Sequence, residues 1–230
     1  MNGIERVHFE EIDSTNTYIK TRRNEGKDLI VTASRQTGGR GTKGRSFSAE
    51  IGGVYLSKLS HFTDFPATQA FKIMIGCAVA VCKMLEHYGL QPVIKWPNDI
   101  HVNGKKICGT LIENVFSGKN IASSVVGIGI NVWNSLPDEL AGIATSMLVE
   151  TGKTFDVEEV TSYLMDALGK EWMIEDYRAY IGYMDRAVTL LFGMESKAAV
   201  LRSVDDEGGL WAEIDGNLQR LTAVEVSVRL

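Results

Sequence analysis

The chain has 230 residues, of which 44% are hydrophobic and 23% charged, with a formal net charge of −5. That length supports one good-sized core, or a main domain plus a small one, and the composition excludes an intrinsically disordered chain. The acidic balance argues against broad binding to nucleic acid or an anionic membrane, which needs a basic face.

In chain order, Ile4 to Phe9 reads as a first strand. Asp13-Ser14-Thr15-Asn16 then offers capping side chains just before Tyr18 and Ile19, a helix start. Leu29 to Ala33 is a strand. Arg35 to Ser48 is basic and glycine-rich, hence a loop, and Gly53 to Leu59 is the next strand. Thr68 to His87 is apolar on nearly every side and predicts a buried helix closed by Gly89. Val93 to Trp96, Ile107 to Glu113 and Val125 to Ile130 predict strands, with Asn103-Gly104 as a hairpin turn between two of them. Val157 to Tyr180 has helical periodicity. After Met184, short strands are expected at 188–192, 198–204, 210–214 and 224–229. The elements lack a regular β-α-β rhythm, so the expected fold is α+β with a mixed open sheet and a small all-β module docked on it.

Cys77, Cys82 and Cys108 have neither metal nor redox spacing; their number and type suit buried positions in a reducing compartment. His8, His61, His87 and His101 fit no zinc motif and read as incidental, so no metal site is expected. The N-terminal MNGIERVHFEEID has no apolar signal core. The longest apolar run, Ile73 to Cys82, is about half of what a membrane span needs. A soluble, cytoplasmic protein is expected.

The segment RQTGGRGTKGR (35–45) holds Arg35, Arg40, Lys43 and Arg45 and no acidic residue. Its glycines let backbone N–H groups approach an anion closely, and arginine forks match carboxylate and phosphate oxygens. On composition alone it is also compatible with a solvated hairpin loop. Gly39, Gly41 and Gly44 satisfy G-x-G-x-x-G, but no amphipathic helix opens there, which removes a dinucleotide fold; no P-loop or kinase motif is present. Lys95-Trp96-Pro97-Asn98-Asp99 lies at a strand end, where Lys95 can reach a phosphoryl oxygen. Gly109 interrupts one strand; Gly127 and Gly129 alternate along another, baring one face, and Asn131 ends that strand with an amide suited to a nucleobase edge. Together these residues are equipment for a nucleotide and a carboxylate held side by side.

In the order Ser14-Thr15-Asn16, Gln36 with GRGTKGR (39–45), KWPND (95–99), KICGTLIE (106–113) and GIGIN (127–131), the chain resembles biotin–protein ligases of the type lacking an N-terminal DNA-binding domain. The resemblance spans about the first 130 residues. It implies a catalytic domain like those of class II aminoacyl-tRNA synthetases and biotin ligases over 1–184, and an SH3-like barrel over 185–230. It implies biotin bound by Ser14, Thr15, Asn16, Gln36, Arg40, Gly41, Thr42, Lys95 and Gly109. ATP and the adenylate would be bound by Arg40, Arg45, Phe47, Lys95 and Asn131, with Arg40, Arg45, Lys95 and Mg²⁺ offsetting the repulsion between carboxylate and triphosphate. The implied partner is a biotin carboxyl carrier protein, with no DNA and no membrane, and the implied assembly a monomer or homodimer. The family loop reads GRGRxGRxW; Thr42 and Phe47 depart from it, removing one phosphate contact unless Lys43 substitutes, and leaving an aromatic ring to stack on adenine. A lipoate-type acyl ligase, a biotin-responsive repressor and an inactive biotin binder are the competing readings.

Overall fold

The computed structural model describes residues 4–229, without the side chain of Lys43. The substitution proposed above for that side chain therefore lies outside the described residues. Seven strands form a mixed sheet: β1 (Glu5–Ile12), β2 (Leu29–Gln36), β3 (Gly53–His61), β4 (Val93–Lys95), β5 (Asp99–Val102), β6 (Lys105–Ser117) and β7 (Asn120–Asn131). Their spatial order is β1-β2-β3-β7-β6-β5-β4. Only β1 and β2 run parallel; the other neighbours are antiparallel.

Helix α1 (Thr15–Thr21) packs on one face of the sheet, capped by Ser14, whose Oγ accepts from the Thr17 N–H at 3.3 Å. The other face carries α2 (Phe71–His87), α4 (Val157–Leu168) and α5 (Ile174–Ala179); the short α3 (Met147–Thr151) follows β7. With the turn before it, α2 makes a stretch, Ala67–His87, of mean hydropathy 1.4, long and apolar enough to cross a membrane. Its uninterrupted apolar run is still only Ile73 to Cys82, as read from the sequence. Half of the stretch is buried. Ala78 through Cys82, Met84 and Leu85 are all sealed in the main core, as expected of a core helix.

Three expectations change. The periodic run 157–180 is two helices, because Gly169 ends α4 and Asp176 caps a new start by accepting from the Met173 N–H at 2.9 Å. Asn103-Gly104 does turn a hairpin, with φ of 49° and 78°, the left-handed values such a turn requires. Its first arm, however, is β5 and not the strand expected over Val93 to Trp96. In the C-terminal part, β8 (Ala187–Phe192), β9 (Glu195–Val204), β10 (Leu210–Ile214), β11 (Asn217–Leu221) and β12 (Ser227–Arg229) form an antiparallel sheet ordered β11-β10-β9-β8-β12. The strand expected over 224–229 is thus shorter, and β11 is additional. One continuous core joins this sheet to the helices: Val188, Leu190, Leu201 and Leu210 belong to the same cluster as α2.

Asp205 organises the loop between β9 and β10, accepting from the Gly209 N–H (2.8 Å), Trp211 Nε1 (3.0 Å) and the Arg220 guanidinium. Burial alone would raise its carboxyl pKa; the bonds from Arg220, Gly209 and Trp211 outweigh burial and hold it at about 2. A folded-state pKa below the ordinary value near 4 means stability that is present above about pH 4 and lost as pH falls through about 2. Asp205→Asn is therefore expected to lower the melting temperature at pH 6, with the gap to wild type narrowing as the pH is taken down to 2.

Candidate active site

The sheet face that carries α1 holds two adjoining cavities. The first is lined by Ser14, Thr15, Asn16, Gln36, Arg40, Gly41, Thr42 and Gly109, with Asn98, Leu111, Gly127 and Gly129 completing it. Its polar end is an ordered network. Gln36 Oε1 accepts from the Thr15 N–H (2.8 Å) and the Thr15 hydroxyl (3.0 Å). The fully buried Ser57 hydroxyl lies between Thr15 Oγ1 (2.7 Å) and Asn16 Oδ1, and has one proton for the two of them. Asn16 Nδ2 donates to Glu113 (3.3 Å), which also holds Lys20 Nζ at 2.6 Å. Ser57, Glu113 and Lys20 had not been identified as site residues. Ser57 sits in an apolar strand, and its role appears only when β3 is placed beneath α1.

The glycines clear this face as their alternation implied. In register, Gly109 opposes Gly129 and Leu111 opposes Gly127. A Cβ on Gly127 would strike the Asn16 amide, and one on Gly129 would lie 2.5 Å from the Phe47 ring. Phe47 thus occupies the bared groove. Its loop folds back on itself: the Gly41 N–H donates to the Arg45 carbonyl (2.7 Å) and the Phe47 N–H to the Gly39 carbonyl (2.9 Å). Arg35 does not join the anion site; it is ion-paired with Glu11 (2.6 Å) and Glu50 (3.1 Å). Arg40 lines the first cavity and Arg45 the second, so the loop divides its two remaining described cations between them.

The second cavity is larger, ≈ 430 Å³ against ≈ 50 Å³. A small-molecule site typically needs about 300 Å³ or more. The first cavity is therefore a narrow slot, with Arg40, Gly41 and Thr42 along one side. The second cavity is lined by Arg45, Phe47, Lys95, His101, Asn131 and an apolar wall of Leu136, Leu140, Ile143 and Ala144. Asn131 borders it; its Nδ2 donates to the Thr145 carbonyl (3.0 Å) and its Oδ1 accepts from Asn134 Nδ2 (3.2 Å), bonds that use one of the amide's two protons and one of its two lone pairs. Lys95 lines only this cavity. Burial pulls its ammonium below the usual lysine range; Asp99 opposes that, while Lys106, Arg229 and Arg45 add to it.

Three residues line both cavities: Phe47, Asp99 and Lys106. Lys106 Nζ donates to Asp99 Oδ1 at 2.6 Å. Lys95, the lysine singled out from the sequence, lines the second cavity, and Lys106, which the sequence did not single out, lines both, because the β5–β6 hairpin brings it beside Asp99. The strand-end turn that carries Lys95 and Asp99 is fixed from three sides. Trp96 Nε1 donates to the Gly208 carbonyl (3.1 Å), Tyr177 Oη to the Pro97 carbonyl (2.8 Å) and Asn98 Nδ2 to the Thr110 carbonyl (2.8 Å). Among the described residues no group of three or more His, Cys, Asp or Glu side chains converges as a metal site.

This arrangement has counterparts. The model of the Biotin/lipoate A/B protein ligase family matches residues 8–131. The chain is 32% identical over 223 residues to the bifunctional ligase/repressor BirA of Bacillus subtilis, covering 89% of this chain and 67% of that protein. It is 28% identical over 234 residues to the biotin–[acetyl-CoA-carboxylase] ligase of Mycobacterium tuberculosis, covering 93% and 85%. The solved biotin protein ligase of Aquifex aeolicus in complex with biotin and ATP superposes with a TM-score of 0.81 at 26% identity, covering 98% of each chain. With the glycine loop, the KWPND turn and the bared strands all inside or bordering the matched segment, the chain belongs to the biotin/lipoate A/B protein ligase family.

Proposed function

We propose that the chain is an ATP-dependent biotin–protein ligase that makes biotinyl-5′-AMP and passes the biotinyl group to a lysine of a biotin carboxyl carrier protein. The observation that carries this reading is the pair of cavities meeting at Lys106. The first offers a polar end of amides and hydroxyls suited to the ureido ring, and Arg40 for the carboxylate. The second offers an apolar slot with Phe47 and Asn131 for adenine, and Arg45 and Lys95 for phosphates. Relatives named as biotin ligases, one solved with both substrates, support it. The division into a catalytic domain, 1–184, and a C-terminal domain, 185–230, a cytoplasmic location, and a monomeric or homodimeric state belong to the same proposal.

In the first step a biotin carboxylate oxygen attacks the α-phosphorus of ATP, forming a phosphorus–oxygen bond as the bond to the β-phosphate oxygen breaks and pyrophosphate leaves. Two anions must approach, so the cost is electrostatic. Lys106, between the cavities, and Arg40, Arg45 and Lys95 around them offset it and favour the charge that builds up at the α-phosphate. Magnesium arrives as part of the substrate, MgATP, held chiefly by phosphate oxygens and water, as that ion prefers; Asp99 is paired to Lys106. In the second step the neutral amine of the acceptor lysine attacks the acyl carbon, AMP departs and the amine loses its proton. No protein nucleophile is needed, and positioning supplies much of the rate. The loop closed over the slot keeps water from the anhydride.

The test is incubation of purified protein with biotin, MgATP and a carrier domain, followed by intact-mass measurement. One added biotinyl group on the carrier is expected; lipoate as sole acid is expected to give none. No modification with either acid would overturn the reading. Thr42 lines the slot without a charge. Installing an arginine by Thr42→Arg adds a phosphate contact and is expected to slow adenylate release about tenfold, as measured by trapping the released intermediate.

A further inference from the structure

We infer that His101 is a nucleotide-recognition residue, accepting a hydrogen bond from a ribose hydroxyl through Nε2; this rests on the reading of the second cavity as the ATP site. His101 is the second residue after the KWPND turn, is 8% exposed, and is one of the residues lining that cavity. Its Nδ1 lies 3.2 Å from the Gly104 carbonyl. A carbonyl only accepts, so Nδ1 carries the proton, and Nε2 of the neutral ring is a bare acceptor. Burial holds the ring's pKa below the ordinary histidine value; the Gly104 carbonyl and Asp99 oppose this, and Lys95 and Lys106 reinforce it. The neutral form therefore prevails at physiological pH. Yet Nε2 is buried and has no hydrogen-bond partner. A buried acceptor without a partner costs stability and calls for an explanation, and a ligand that fills the cavity supplies one.

Position selects the donor. In register, His101 stands opposite Lys106 on β6 and Val93 on β4, two residues from Lys95. Its cationic neighbours, Lys95 and Lys106, are the groups assigned to the phosphates, and the carboxylate of Asp99 is paired with Lys106. The apolar wall around Ile143 and Leu136, with Asn131, takes the base. In a nucleotide the ribose lies between base and α-phosphate, and its hydroxyls are its hydrogen-bond donors. In the sequence His101 reads as incidental because it fits no zinc motif and lies outside the expected strands.

The experiment measures kcat/KM for adenylate formation with ATP, 2′-deoxy-ATP, 3′-deoxy-ATP and ITP, in wild type, His101→Asn and His101→Gln, with melting temperatures for each. Asparagine keeps a donor near Nδ1 for the Gly104 carbonyl and loses the Nε2 acceptor; glutamine keeps an acceptor near Nε2. The wild type is expected to favour ATP over one deoxynucleotide by about tenfold, the worth of one hydrogen bond. His101→Asn should close that gap without a fall in melting temperature, and His101→Gln should keep it. His101→Phe repeats the comparison if the asparagine variant melts early. Equal use of ribo- and deoxynucleotides by the wild type, or an unchanged gap in His101→Asn, overturns the assignment. So does a change confined to ATP against ITP, which would put Nε2 at the base. If the wild type forms no adenylate from any nucleotide, the functional reading itself fails and the assignment falls with it.

Discussion

Lys106→Met is expected to slow adenylate formation by about 10²–10³-fold, about 3–4 kcal/mol of transition-state stabilisation, the loss typical of removing one well-placed electrostatic group. The residue lines both cavities and carries its charge where a carboxylate must approach a phosphate. Methionine keeps the length of the stem and deletes the charge. Folding should be little affected, because the Lys106–Asp99 pair is about one-third exposed on each side and such pairs contribute at most about 1 kcal/mol. Lys95→Met provides the contrast. Lys95 borders only the second cavity, so its loss should appear mainly as a raised KM for ATP, about tenfold, with a smaller fall in kcat. Pyrophosphate release under saturating biotin separates the two. If Lys95→Met proved the more damaging in kcat, the central place given to Lys106 would be wrong.

Gly127→Ala is expected to weaken biotin binding about 10–100-fold, corresponding to the loss of one or two polar contacts, while leaving ATP binding within about twofold. The added methyl meets the Asn16 amide, which cannot yield easily because Ser57 and Glu113 hold it from either side. Gly129→Ala is the companion: its methyl meets Phe47, which lines both cavities, so both affinities should fall. The protein should remain folded in each case, since alanine restricts the unfolded chain more than glycine does and neither position has a left-handed φ. Calorimetric titration of each ligand into each variant distinguishes the patterns. Unchanged biotin affinity in Gly127→Ala would remove Asn16 from the ligand's surroundings.

These residues also mark where sequence reasoning succeeds and where it stops. Gly127 and Gly129 announce a bared face because side chains in a strand alternate with period two, a rule that needs no tertiary information. The capping role of Ser14 is local in the same way. Lys106 is not local: in KKICG it reads as the start of a strand, and its importance comes from a hairpin that sets it beside Asp99. The hairpin's turn at Asn103-Gly104 was legible, but its first strand, β5, was not, because it has only four residues. β11 was missed for a different reason. Four of its five residues are exposed, so it has no hydrophobic pattern to detect. Arg35 was over-read for the opposite cause: it sits in a basic segment, yet its partners are Glu11 on β1 and Glu50 in the loop before β3. Charge in a sequence window is not charge in a site until the neighbouring strands are known.

The account depends on two ligands occupying adjoining cavities at once, with their reacting ends at Lys106. Isothermal titration of biotin into protein saturated with a non-hydrolysable MgATP analogue, and of the analogue into protein saturated with biotin, tests this most directly. Simultaneous binding is predicted, one of each per chain, with each ligand altering the other's affinity by the same factor. Displacement of one ligand by the other would contradict it.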